Sequence, residues 1–352
     1  MPAAKLLAML IKQDLEGDDA LLRLGQVRLQ EAGLGAEIYP VTPEQLTEQL
    51  AFCPADRPCT AHLPRNLNLL LPEARERILE YAVRAAGRLH GLIVHDDWQF
   101  GDRREQVSLA FRDLDRRLTT LPDAPLLFVE YAAGLPPDVF AGFFEKTVEL
   151  RRVCACIDIS HVGIQVCKTA FTRNSPGVDL FSLRNPPELQ RHIEDVQGAA
   201  AEALPVVVGL VKRLARLGKP LHFHLHDGHP LSTLSRYGVS DHLSFLQEIR
   251  LPFAYRGRQL VGGIFGPAGL RAIVRATLEG LAPERVSFMI EVHRQEGRSP
   301  LGAYRSLLAH WKDVTNGERM NYWLDVLQEN AVLLREACAQ VQTASGSAAG
   351  MR

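Results

Sequence analysis

The sequence predicts an α/β fold in which eight parallel strands alternate with helices and close into a (β/α)8 barrel. Apolar, β-prone runs recur along the 352 residues, and amphipathic stretches separate them. Several of these runs end in an imidazole or a carboxylate, where a barrel of this type builds its site. The length and the 46% hydrophobic content are sufficient for one large α/β core.

The eight predicted strands lie at about residues 5–11, 36–40, 58–63, 91–96, 125–131, 152–158, 220–226 and 286–292. Between them, stretches such as 72–87 place apolar residues at helical spacing. The connections 159–219 and 227–285 predict long loops after strands six and seven, which usually form the substrate pocket. We therefore expect a barrel over 1–300 with a metal site at its C-terminal face. Residues 301–312 and 318–341 predict extra helices within a C-terminal extension (301–341), followed by a flexible tail (342–352).

The alternation of side chains in strands five to eight places four polar residues on the inner face. Residues two apart in a strand share a face, and the aliphatic residues take the opposite one. By this parity Glu130, Asp158, His224 and Glu291 lie inside the barrel at the strand ends. An ionised carboxylate there is costly unless it is paired or bound to a metal ion. The pattern therefore predicts a divalent-metal site.

The motifs AHLPRNLNL, VHDD, VEYAAG, IDISH, HLHD and IEV follow one another in this order. In these motifs the chain resembles the xylose-isomerase-like TIM barrels, the superfamily of sugar isomerases and epimerases together with endonuclease IV. The resemblance covers most of residues 1–300. It implies a shared metal site of Glu130, Asp158, His224 and Glu291, with the two glutamates catalytic. The endonuclease branch adds ligands that match His62, His95 and His161.

The loop after strand seven departs from the endonuclease pattern. That branch carries Asp-x-His there, whereas this chain reads Ser240-Asp241-His242, so His242 is a candidate ligand and a three-metal set stays open. Neighbouring histidines often orient the ligands of a metal. The candidates for substrate contact or for orienting the ligands are His226, Asp227, His229 and, as phosphate-binding cations in the long connection, Lys168 and Arg173. His222 is expected to lie a layer deeper, as a structural residue.

Two functions fit this site, and the first is preferred. A divalent-metal isomerase or epimerase would move a proton beside the carbonyl of a small sugar or related hydroxy-carbonyl compound. An endonuclease IV-like phosphoesterase would use two or three metals on a phosphate. A third alternative is a barrel that binds a metabolite without turnover. Mixed nitrogen and oxygen ligands favour one to three ions of Mn, Zn, Co or Fe over Mg.

The composition indicates which classes of binding partner are expected. The net charge of −1 and the pI near 6.9 disfavour general nucleic-acid binding, and a small-molecule substrate is expected. No apolar run of about 18 residues occurs, so no membrane span is expected. The six cysteines show no CxxC spacing, and the N-terminus lacks a convincing signal peptide, which favours a reduced cytoplasm. The oligomeric state stays open.

Overall fold

The computed structural model describes residues 3–9, 19–51, 53–183, 186–232, 234–235, 238–239, 242–246, 250–255, 258–261, 263–292 and 316–349. Eight strands form the central sheet. They are β1 (Lys5–Met9), β2 (Gly35–Ile38), β3 (Cys59–His62), β4 (Gly91–His95), β5 (Leu126–Glu130), β6 (Val153–Asp158), β7 (Leu221–Leu225) and β8 (Val286–Ile290). Each coincides with a predicted strand.

The sheet closes into a barrel of parallel strands in the order β1-β8-β7-β6-β5-β4-β3-β2. Closure occurs at β1, which pairs with β8 on one side and with β2 on the other. The register places Glu130 beside His95 and places Asp158 beside His224. The predicted (β/α)8 fold is confirmed, and the polar residues at the strand ends meet at one mouth of the barrel.

The two faces of each strand carry different side chains, as the alternation predicts. Leu127 and Val129 of β5 point outward and join the main core between the strands and the helices. On the inner face, a small apolar cluster fills the lower part of the barrel. It contains Ile93, Phe128, Cys154 and Cys156. The polar site lies above this cluster, toward the carboxyl ends of the strands.

Ten helices surround the barrel within the described residues. They are α1 (Asp19–Glu31), α2 (Pro43–Leu50), α3 (Pro72–Ala85), α4 (Arg104–Thr120), α5 (Pro137–Lys146), α6 (Ile159–Asn174), α7 (Pro186–Arg191), α8 (Ile193–Ala215), α9 (Gly266–Gly280) and α10 (Asn316–Ala349). After β7, two short antiparallel pairs form, Leu234–Ser235 with Gly238–Val239 and Arg250–Tyr255 with Arg258–Val261. No helix in the described part of the chain is long and apolar enough to cross a membrane.

The connection after β6 is helical, and this corrects the placement of two candidate residues. Lys168 and Arg173 were expected in a loop, but both lie on α6. That helix starts directly at Asp158, whose side chain caps it, and its apolar residues pack against α8. Arg173, near its C-terminal end, is exposed and forms an ion pair with Glu202.

The C-terminal helix α10 packs against α9 and α1, and its buried residues include Leu327 and Leu334. It runs to Ala349, past residue 341, which was the predicted end of the helix. The helix expected at 301–312 lies outside the described residues. The division into barrel, extension and tail stays a prediction.

Candidate metal centre

The barrel mouth holds a buried cluster of histidines and carboxylates. We divide it into three groups that share residues. The central group is Glu130, Asp158, His224 and Glu291; the His62 group is His62, His95 and Glu130; the His242 group is Asp158, His161, His226 and His242. In the His62 and His242 groups, and among Glu130, Asp158 and His224, potential ligand atoms lie within 4.8 Å of one another. The cluster therefore brings together all eight residues predicted as metal ligands, and adds His226.

The ring of His224 lies at the middle of the central group. Its Nδ1 is 3.1 Å from Glu291 Oε2 and 3.5 Å from Glu130 Oε1, and its Nε2 is 3.2 Å from Glu37 Oε1. Among the described residues, neither ring nitrogen of His224 makes a hydrogen bond, and Glu291 Oε2 makes none either. Buried polar atoms that approach one another without bonding are an arrangement that a metal ion would satisfy.

In the His62 group too, potential ligand atoms approach one another, and the tautomer of His62 shows which ring nitrogen faces the site. His62 Nδ1 lies 3.0 Å from the carbonyl oxygen of Leu63, and a carbonyl can only accept, so this nitrogen carries the proton. In the neutral ring Nε2 is then a lone pair, yet it faces Glu130 Oε2 at 2.9 Å. His95 Nε2 lies 3.1 Å from the same nitrogen and 3.4 Å from the same oxygen. Two imidazole nitrogens and one carboxylate oxygen thus converge, as ligands of one cation do.

The His242 group repeats this arrangement on the other side. His226 Nδ1 donates to the carbonyl of Asp227 (3.1 Å), which leaves its Nε2 facing Asp158 Oδ2 at 3.0 Å. His161 Nε2 lies 3.2 Å from the same oxygen. The ring of His242 stacks on His226 with 4.0 Å between centroids. Three imidazoles and one carboxylate are a common ligand set for Zn²⁺.

Asp158 links helix α6 to the site, because one carboxylate oxygen caps the helix and the other faces two imidazoles. Oδ1 accepts hydrogen bonds from the backbone N–H groups of Ser160 and His161 and so caps the N-terminus of α6. Oδ2 faces His161 and His226. The cap therefore fixes the direction in which the second oxygen points.

Two further side chains hold the loops of the His242 group. The Asp227 carboxylate accepts from the backbone N–H groups of Gly228, Phe265 and Gly266, which ties the β7 end to the start of α9. Asn330 of α10 accepts from the N–H of Phe245 and donates to Ser244 Oγ, and so anchors the segment that carries His242. The Asp227 carboxylate thus holds the loop, whereas the Asp227 backbone carbonyl holds the ring of His226.

The charges of the site are balanced by histidines. In the described part of the chain, the ion-pair partners of the central carboxylates are all imidazoles. Burial alone would raise the pKa of Glu130, but His224 and His95 hold it well below its usual range. Burial would lower the pKa of His224, but Cys156, Glu130 and Glu37 hold it well above its usual range. Without a metal, the carboxylates therefore depend on protonated imidazoles; divalent ions would supply the same charge.

Other imidazoles are held neutral. Burial lowers the pKa of His95 to about 3, against the opposing effect of Glu130. Burial likewise lowers the pKa of His161. Neutral imidazoles are the form that binds metal ions. The donor set therefore fits divalent ions at this site.

Glu37 on β2 is a residue of the site that was not predicted from the sequence. It is fully buried, and its Oε2 accepts from Thr60 Oγ1 (2.8 Å) and from His222 Nε2 (3.1 Å), while its Oε1 faces His224. Burial would raise the pKa of Glu37, but His224 and His222 lower it below its usual range. Glu37 thus holds the Nε2 side of His224 and directs Nδ1 toward Glu130 and Glu291. Inward parity in GAEI was the available signal.

The remaining candidates lie at different distances from this cluster. His229 is buried beyond β7, where its Nδ1 accepts from the N–H of Leu231, and burial lowers its pKa to about 4. His222 lies below His224 and bonds Ser287 and Glu37, consistent with a structural role. Lys168 is half-buried on α6, and Arg173 is at the surface. Asp241 lies outside the described residues.

Comparisons with known proteins add little to this geometry. No protein-family model and no curated protein matches the chain. Among solved structures it is similar to the carboxyl transferase domain from Rhizobium etli pyruvate carboxylase, in a form with 3-bromopyruvate (12% identity, TM-score 0.37) and in another (11%, 0.38). Each match covers 96% of this chain and 48% of that chain, so this chain spans about half the other's length.

The chain is a TIM barrel. The closed barrel that its eight parallel strands form shows this. The TM-scores of the structural matches are too low to support any argument about activity. The function must therefore be argued from the TIM barrel's own site.

Proposed function

We propose that this chain is a metal-dependent hydrolase of phosphate esters that uses more than one divalent ion and acts on a small molecule. The observation that carries the proposal is the pair His62 and His226. Each ring donates its Nδ1 proton to a backbone carbonyl and turns Nε2 toward a carboxylate oxygen, a position in which either a proton or a metal ion is favoured. This occurs on both sides of the central group, so a cation is favoured at each flank.

The groups share carboxylates, which keeps the proposed ions adjacent. Glu130 belongs to the His62 group and to the central group, and Asp158 belongs to the central group and to the His242 group. The nitrogen and oxygen ligands suit Zn²⁺, Mn²⁺, Co²⁺ or Fe²⁺ better than Mg²⁺. Adjacent divalent ions would lower the pKa of an attacking water and neutralise charge on a phosphate.

The chain's own residues would orient the imidazole rings and take a proton from the attacking water. Glu37 and the backbone carbonyls of Leu63 and Asp227 fix which imidazole nitrogen points into the site. Glu291, whose Oε2 makes no hydrogen bond among the described residues, is placed to take a proton from the attacking water. The cluster is buried, so bulk water is excluded and charges act strongly on one another.

The charge of the protein favours a small substrate over a nucleic acid. Its net charge is −1, so no overall positive field draws a polyanion to the barrel mouth. A small phosphate ester needs no such field, because ions held by the three groups would bind its phosphate. The net charge of the protein therefore supports a small phosphate ester as the substrate.

An isomerase or epimerase is the second candidate, and one observation favours it. Glu130 and Glu291 approach the same nitrogen of His224, at 3.5 and 3.1 Å. A small hydroxy-carbonyl compound held there would have two carboxylates near it. One could remove the proton beside the carbonyl and the other could return it. This chemistry needs the central group alone.

Metal content and turnover together test the proposal. We expect the protein purified with Zn²⁺ or Mn²⁺ to hold more than one ion per chain and to hydrolyse p-nitrophenyl phosphate or its bis-ester. The double variant His62→Ala, His95→Ala should lose one ion and the hydrolysis but keep an ion in the central group. His90→Gln, at the other end of β4 beside Phe128, is the matched control.

Other outcomes would redirect the assignment. A single ion, no hydrolysis and exchange of a substrate carbon-bound proton with deuterated water, unchanged in the double variant, would support the isomerase. An absence of both turnover types with a bound metabolite would support a binding protein. Hydrolysis without any metal would refute both metal mechanisms.

A further inference from the structure

A pair of cysteines lies at the opposite end of β3 from the metal centre. Cys59 begins this strand, which ends at His62, about 10 Å away at the usual rise of a strand. Cys53 lies in the turn between α2 and β3, and its Sγ is 3.3 Å from Cys59 Sγ. The two thiols thus face each other across a five-residue turn at the edge of the buried core.

The surroundings of Cys53 favour its thiolate. Its Sγ accepts from Cys59 Sγ and from the side-chain amide of Gln26 (3.4 Å). The Arg88 guanidinium donates to the carbonyls of Leu50 (2.8 Å) and Cys53 (3.4 Å). The hydrogen bond from Cys59, with Gln26 and Arg88 aiding, lowers the pKa of Cys53 despite its burial. Hydrogen-bond donors and nearby cations are what make a cysteine reactive.

The pair is buried but borders a small cleft. Cys53 is 7% exposed and Cys59 is 3% exposed, and both line this cleft together with Gln26, Gln30 and Arg57. Cys154 and Cys167 differ from Cys53 in their electrostatics. Burial raises the pKa of Cys154 and Cys167 to about 12, whereas the hydrogen bond from Cys59 lowers the pKa of Cys53. Reactivity toward an oxidant is therefore expected at the Cys53–Cys59 pair, where the sulfurs lie 3.3 Å apart, rather than at Cys154 or Cys167.

We infer that Cys53 and Cys59 are a redox site that reacts with a peroxide and closes to a disulfide, with Cys53 as the attacking sulfur and Cys59 as the resolving sulfur. The Cys53 thiolate attacks one peroxide oxygen, the O–O bond breaks, and the other oxygen leaves as water or alcohol after protonation. The Cys59 sulfur then attacks the Cys53 sulfenic acid and expels water. Two thiols are oxidised to one disulfide, and one peroxide is reduced.

The geometry requires only a small movement. A disulfide has an S–S bond of about 2.05 Å, so the sulfurs must approach by roughly 1.3 Å from their present 3.3 Å. The turn at 53–58 can supply this by side-chain rotation, because Cys53 lies outside any helix or strand. The step does not require the strand β3 to shift.

The test is oxidation of the folded protein with hydrogen peroxide, followed by thiol labelling and peptide mass spectrometry. We expect a loss of two labelled thiols, a linked Cys53–Cys59 peptide, and full reversal by dithiothreitol, while Cys154 and Cys156 in the same sample stay labelled. Cys59→Ser should stop at a sulfenic acid on Cys53 that dimedone traps. Cys53→Ser should leave Cys59 unoxidised under the same conditions.

Two results would overturn the inference. In one, wild-type Cys53 and Cys59 stay fully labelled under conditions that oxidise free glutathione. In the other, the bridge forms only after urea unfolds the protein. The wild-type measurement needs no variant, so a variant that fails to fold does not prevent the decision.

Discussion

Replacement of Glu37 tests whether a residue beneath the metal centre controls its affinity. Glu37→Ala removes the carboxylate that lies 3.2 Å from His224 Nε2 and that accepts hydrogen bonds from Thr60 and His222, all of which are buried. Loss of a group that orients a metal ligand typically lowers metal affinity about 10- to 100-fold, which is roughly 1.4–2.7 kcal/mol. We expect a loss of this size, because the His224 ring is then free to turn its Nδ1 away.

Glu37→Gln separates hydrogen bonding from charge. The amide oxygen can still face His224 Nε2, without the negative charge. His222 can adapt to the amide N–H by shifting its proton to Nδ1, beside Ser287. We therefore expect Glu37→Gln to lose less affinity than Glu37→Ala. Thr60→Val is the matched control, since it removes one hydrogen bond to Glu37 and leaves the contact with His224.

The assay is competition for Zn²⁺ against a chromophoric chelator, with urea unfolding as the check on the fold. Wild-type affinity in both Glu37 variants, at retained stability, would refute the positioning role. An equal loss in Thr60→Val would show that general packing around Glu37, rather than its contact with His224, sets the affinity.

Four further predictions follow from single side chains. Burial raises the pKa of Asp96 from 3.8 to about 7, so the folded state binds its proton more tightly, and the contribution of Asp96 to stability should fall as pH rises from about 4 to 7, by up to roughly 4 kcal/mol. In urea titrations of the metal-free protein, the stability of Asp96→Asn relative to the wild type should therefore increase over that window. Glu291→Gln should abolish turnover and weaken metal binding in the chelator assay with an unchanged thermal midpoint. Asp158→Asn should keep the cap of α6, since Asn also caps, and lose metal, whereas Asp158→Ala should lose about 0.5–2 kcal/mol as well in urea unfolding. Asn330→Ala should speed backbone hydrogen exchange around His242, because it removes the anchors at Phe245 and Ser244.

The strands and most of their inward residues could be predicted from the sequence because one rule governs both. Apolar runs with period-two alternation mark strands, and closure then places one face inside. Glu130, Asp158 and His224 follow from this rule alone. The structure of the connection after β6 was harder to predict, because the length of a segment between strands does not show whether it contains helices. Lys168 and Arg173 were predicted to lie in a loop for this reason.

The roles of Glu37 and His226 at the site could not be predicted in the same way. Glu37 is a single carboxylate in a four-residue strand, and its meaning comes from His222 and His224, which are distant in sequence. His226 lies just beyond the last residue of β7, where the chain leaves the regular alternation. Its direction is set by the carbonyl of Asp227, a tertiary detail that spacing does not encode.

The layering of the barrel interior explains why changes at the site should leave the fold intact. The outer core between strands and helices and the inner cluster around Phe128 are apolar, and they supply the burial that drives folding. The carboxylates above them are unfavourable to bury and are offset by imidazoles. Replacing one carboxylate by its amide keeps the shape and an acceptor beside the imidazoles in the metal-free protein, while it removes a ligand from the metal-bound one. The free energy of unfolding without metal and the metal affinity should consequently change independently, which is what a site held on a stable scaffold requires.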